Sequence, residues 1–89
     1  ATRMVRDSID GALLDIATFY RDVMMVQSGS AEALINTDMI DEINRYANAH
    51  PSHTTIDKIN AIMQARTNLA HNAAPLLTCE ALMCRLAKN

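Results

Sequence analysis

Apolar residues recur every three or four positions over the first 28 residues. Val5, Ile9, Leu13, Ile16, Tyr20 and Val23 fall on one face of a helix. The spacing predicts a long helix over residues 2–28, closed by Ser28-Gly29-Ser30 with Gly29 as the left-handed cap. Gly11 lies inside that run and weakens it by about 1 kcal/mol relative to Ala, which the length of the periodic pattern outweighs. Residues 30–37 are less regular, and Ala33, Leu34 and Ile35 suggest a turn of helix packed into the core. A second amphipathic helix is expected over residues 38–49. Thr37 or Asp38 would be its N-cap, Asp41 and Glu42 its acidic first turn, and Ile40, Ile43 and Ala47 its buried face.

His50-Pro51-Ser52 breaks the pattern, because the residue before proline avoids helical geometry. A third helix is expected from Thr54, with Thr54 and Asp57 resembling a capping box. Its stripe reads Ile56, Ile59, Ile62, Met63, Leu69 and Ala70, and it should fray near Asn72. Pro75 suits the first turn of a fourth helix, where its missing N–H is harmless. Leu76, Cys79, Leu82, Met83 and Leu86 carry that helix towards the end of the chain. The connections are short, so adjacent helices should run antiparallel. The expected fold is all-α: a compact antiparallel bundle of about four to five helices.

Composition agrees with helices. The 89 residues include only 2 Gly and 2 Pro, with 49% hydrophobic and 20% charged positions, which is too apolar for a disordered tail. A domain of this size buries only about 60% of its unfolded surface, so its stability should be marginal. The net charge of -2, without any basic run, argues against a direct grip on nucleic acid. It likewise disfavours a DNA-reading helix-turn-helix. No apolar run approaches a membrane span and no signal peptide is visible. The chain opens Ala1-Thr2-Arg3 and already reads as helix there, so a piece of a longer protein is expected.

Catalytic signatures are absent. There is no phosphate-binding glycine loop, no HExxH and no GxSxG. His50 and His53 flank a proline as loop residues, and His71 sits near a helix end. Cys79 and Cys84 are five apart, about 140° around a helix, and read as buried free thiols of a cytoplasmic protein. No enzyme activity, cofactor or metal is expected.

Three features stand out from a bland bundle. Arg66 interrupts an apolar stripe, and Glu80 lies on a largely apolar side of the last helix. A charge in such a place must be paired or must reach solvent, and an Arg66–Glu80 ion pair docking the last two helices is one expectation. The third feature is a second seam on the first helix, formed by Leu14, Thr18, Arg21 and Met25, opposite the core face. It reads either as ordinary surface or as a partner-binding ridge. Met24 belongs to the core edge in that reading.

The string Arg66-x-x-Leu69-x-x-Asn72-x-x-Pro75-Leu76-x-x-x-Glu80-x-Leu82-x-x-Arg85-Leu86 resembles the end of the collar domain of bacterial clamp-loader subunits. Ala12-Leu13-Leu14-Asp15, Phe19-Tyr20-Arg21-Asp22-Val23, Gly29 and Leu34-Ile35-Asn36-x-Asp38 are similar to the opening of that domain in the delta-prime subunit of DNA polymerase III. The tau/gamma subunit shares the collar fold and is a close alternative. The resemblance implies a C-terminal collar domain spanning residues 1–89. It also implies assembly with the delta and tau/gamma subunits into a pentameric ring that loads the sliding clamp during DNA replication. DNA would be met only through the complex, in the cytoplasm, and the isolated domain would be monomeric or weakly self-associating. A different class of function, a regulatory helical module binding a peptide or small ligand, would instead require a groove lined by Met24, Met25 and Met63.

Overall fold

A computed structural model describes residues 2–30, 34–71 and 73–88. Four α-helices follow one another: α1 (Thr2–Gln27), α2 (Ile40–Ala49), α3 (Ser52–Ala70) and α4 (Pro75–Ala87), with a 3-10 turn at Thr37–Met39 leading into α2. No strand occurs among the described residues, and the all-α bundle is as the hydrophobic pattern predicts. α1 packs on α2 and α3, while α4 packs chiefly on α3. The 26 residues of α1 make a rod of about 39 Å, which matches the molecule's longest extent of 41 Å.

Local chemistry sets most helix ends. Gly29 adopts φ 83°. Its N–H donates to Val26 O and that of Ser30 to Met25 O, the paired bonds of a Schellman cap. His50 is extended at the end of α2, as pre-proline sterics require, and Gln27 Nε2 donates to the carbonyls of Ala47 and His50 there. α3 begins at Ser52, two residues before the expected Thr54 cap. Pro51 takes the N-cap place in extended geometry, without a side-chain bond, which puts Thr54 and Thr55 inside the helix and buries both. Likewise Thr37 and Asp38 form the 3-10 turn instead of capping α2. Pro75 stands in the first turn of α4.

The core is built from Leu13 and Ala17 of α1, Ala61, Ile62, Ala65 and Leu69 of α3, and Leu82 of α4. Alanines at the contact allow close approach of α1 and α3. Val23 and Ile43 are fully buried as well. The buried face of α3 is Thr54, Thr55, Lys58, Ala61, Ile62, Ala65 and Leu69, not the expected stripe, and Ile56, Met63 and Ala70 are exposed. Val5 and Ile40 are also exposed. For Val5 the reason is rotation: it lies about 100° around α1 from Arg6, which faces α3 across a cleft.

Between α1 and the 3-10 turn, Leu34 is half-buried and Ile35 exposed. Residues 34–36 are not helical, contrary to expectation, because the Asp22 carboxylate captures the N–H groups of Ile35 and Asn36. Ala33 and Asn72, which also entered the expected pattern, lie outside the described residues.

Candidate assembly surface

α4 is the helix whose surface departs furthest from that of a self-sufficient bundle. Thr78 and Leu82 are buried, and Cys79 and Leu86 are half-buried against the rest of the domain. The other side is not polar. Leu76 is 72% exposed, Leu77 65% and Met83 50%, and Ala81, Cys84 and Ala87 are exposed beside them. At 100° per residue these six occupy an arc of about 160°, and Glu80 is the one charged residue within it. A helix apolar on all sides is normally enclosed by other structure, yet α4 lies at the outside of the bundle. Leu76 and Met83, two of the apolar residues whose spacing predicts this helix, belong to this outer face. Cys84, expected to be buried, is exposed there, and both cysteines are free.

The C-terminus of α4 is held by a group that sequence inspection missed. Lys58 is buried, and its ammonium donates to the carbonyls of Leu86 and Lys88. A cation on these carbonyls satisfies acceptors that the helix leaves open and suits the helix dipole. The signal in the sequence was a lysine in register with Ala61, Ile62 and Ala65 on the face that packs.

Arg66 has a different partner from the one expected. Its Nε donates to Asp10 Oδ1 at 2.7 Å and its Nη2 to Asp10 Oδ2 at 3.2 Å, a two-bond fork joining α3 to α1. Glu80 is exposed on α4, and no Arg66–Glu80 ion pair occurs among the described residues. Geometry explains this: Arg66 lies about 80° around α3 from Lys58, the residue that faces α4. The hydrogen bond from Arg66, with its charge, holds the Asp10 carboxyl below its ordinary value despite partial desolvation, and Arg66 is raised in turn. The pair spans a cleft of about 680 Å³ between α1 and α3, lined also by Arg3, Arg6, Asp7 and Met63. Their side chains remain about a third exposed (32% and 36%), so the link contributes roughly 0.2–1 kcal/mol.

The seam on α1 is partly occupied by the chain itself. Leu14 is exposed, whereas Thr18, Arg21 and Met25 are half-buried. Asn36 Nδ2 approaches Thr18 Oγ1 at 3.4 Å, and Arg21 donates to Asp22 at 3.0 Å. Fully buried Asp22 accepts from Ile35 N (3.0 Å), Asn36 N (2.7 Å) and Asn36 Nδ2 (2.9 Å). The Arg21-Asp22 and Ile35-Asn36 stretches, separate in sequence, therefore form one clamp. Met24 and Met25 lie 14 and 15 positions beyond Asp10 along α1, about 21 Å away, while Met63 lines the Asp10 cleft. A single groove of Met24, Met25 and Met63 does not form.

The three aromatic residues, Phe19, Tyr20 and Tyr46, cluster edge-to-face, and His50 stacks on Tyr46 at 4.0 Å. Burial pushes both phenols up. This cluster ties α2 to α1. No group of three or more His, Cys, Asp or Glu suited to a metal occurs among the described residues. No helix there is long and apolar enough to cross a membrane.

Fold and surface together define a small all-α domain with a clamped core and one apolar helix face turned outward. Residues 7–86 match the family described as DNA polymerase III, delta subunit, C terminal, and the chain belongs to that family. It is thus a domain of the clamp-loader branch of the replication machinery. The matched span includes the Asp22 clamp and α4 through Leu86. No curated protein and no solved structure matches the chain.

Proposed function

We propose that this chain is the non-catalytic collar domain of a delta-prime-type clamp-loader subunit, the C-terminal part of a longer protein. In this role it assembles with the delta and tau/gamma subunits into the ring that loads the sliding clamp in the bacterial cytoplasm. The observation that carries the proposal is the outward apolar face of α4, on a chain of a clamp-loader family. An apolar strip of this kind is characteristic of a surface covered by another protein. The net charge of -2 is consistent with reaching DNA only through the complex. The delta-prime assignment rests on the aromatic-Arg-Asp and Leu-Ile-Asn stretches, which meet at Asp22.

Reconstitution tests the proposal. The full-length parent, mixed with purified delta and tau/gamma subunits, should co-elute as one complex in size-exclusion chromatography with light scattering. Deletion of residues 7–86 should abolish co-elution. A parent that stays separate from those subunits at micromolar concentration would falsify the assembly role. A degraded phosphate loop in the parent's ATPase-like domain favours delta-prime, and an intact one favours tau/gamma.

A further inference from the structure

Building on the assembly role, we infer that the α4 face takes a helix of a sibling subunit carrying a basic residue, and that Glu80 selects this partner over a second copy of the chain. Glu80 sits near the middle of the exposed strip, between Leu76 and Leu77 on one side and Met83 and Cys84 on the other. Any chain covering the strip removes the carboxylate from water. An unpaired carboxylate in an apolar contact is strongly penalised, whereas a partner cation placed opposite it is rewarded with a short, charge-assisted bond. The required occupant is a helix with an apolar stripe interrupted by one Arg or Lys, with Arg favoured by its two-bond geometry.

A second copy paired two-fold through α4 does not meet that requirement. In a two-fold dimer the same patch meets itself. The central Glu80 of each copy would lie near the symmetry axis, bringing two carboxylates together in apolar surroundings. Mutual repulsion at that point disfavours self-pairing while leaving pairing with a basic helix open. Size points the same way. The 13 residues of α4 offer a strip about 20 Å long, well short of the ~800 Å² per partner of a standard stable interface. Such a strip serves as one contact among several in a larger ring.

The test uses the chain with purified delta and tau/gamma subunits, reading affinity by calorimetry and alkylation of Cys84 by a maleimide in a Cys79→Ser background. Complex formation should slow Cys84 alkylation at least ~10-fold. Glu80→Gln should weaken binding about 10-fold and Glu80→Arg by more, with melting temperatures unchanged because Glu80 is exposed. In sedimentation at matched high concentration the wild-type chain should stay monomeric, while Glu80→Leu should show measurably more self-association. If the siblings bind but Cys84 reacts at its free rate and Glu80→Arg binds normally, the α4 assignment is overturned and the assembly role stands. If the wild-type chain dimerises with Cys84 protected, the occupant is a second copy and the selection argument fails. If no sibling binds at all, both proposals fall.

Discussion

Asp22 has no solvent contact, and a carboxylate so placed persists only when donors replace its water. Two backbone N–H groups, the Asn36 amide and the Arg21 guanidinium do so. Burial by itself pushes the group up, but the bonds from Ile35, Asn36 and Arg21 together outweigh it and hold the carboxyl below its ordinary value of 3.8. A folded-state pKa below the unfolded one means that the stabilisation is complete above about pH 4 and is lost as pH falls through the depressed value. Asp10 acts in the same direction. Removing the carboxylate leaves buried donors without an acceptor, so Asp22→Ala should destabilise the chain by about 2–4 kcal/mol, lowering Tm by roughly 10–20 °C. Calorimetry at pH 7 and between pH 4 and 2.5 checks both parts. Asp22→Asn should be destabilised at neutral pH and should flatten the acid limb of the wild-type profile without abolishing it. A wild-type acid limb no steeper than that of Asp22→Asn would remove the clamp from the account.

Among elements, the two glycines illustrate opposite uses of the same residue. Gly11 is exposed within α1, and a Cβ there would meet nothing within 4 Å. Gly29 also has open space but sits at φ 83°, where an L side chain is strained. Gly11→Ala should therefore stabilise the chain by about 0.5–1 kcal/mol, and Gly29→Ala should destabilise it by roughly 1–2 kcal/mol. Urea titrations of the two variants, compared with wild type, should show midpoints moving in opposite directions; a shared direction would contradict the cap. These helix ends were legible because Gly, Pro and the 3.6-residue period act locally. The packing face of α3 was not. Thr55 and Lys58 hold core positions that hydrophobicity alone gives to Ile56 and Met63. The loop at Ile35 was misread for a related reason: its N–H groups answer to a side chain 13 or 14 positions away, and no local window contains both.

For the whole molecule, the position of α4 matters most. α1 and α2 are joined by the half-buried aromatic group, and the Asp22 clamp ties α1 to the loop before α2, whereas α4 contributes Leu82 to the core and docks chiefly on α3. Its outer face was hard to recognise in the sequence because periodicity sorts apolar from polar positions. A helix apolar nearly all round gives such a test no direction, so the spacing of Leu76, Cys79, Leu82, Met83 and Leu86 predicts a helix but not which side of it faces out. The second apolar seam that the sequence suggests lies on α1, at Leu14 and Met25, and not on α4. An element docked chiefly on one neighbour should open more easily than the rest. Amide exchange by mass spectrometry should show α4 exchanging faster than the buried turns of α1 and α3. Lys58→Met keeps the aliphatic stem but removes the donor to Leu86 O and Lys88 O. It should destabilise the chain by about 1–2 kcal/mol and accelerate exchange preferentially in α4. Binding to sibling subunits should reverse that order for α4, since a partner that covers its outer face stabilises the closed state by mass action. Uniform exchange across all four helices, unchanged by Lys58→Met, would mean that α4 is as firmly part of the core as α3 and that its apolar exterior needs another cause.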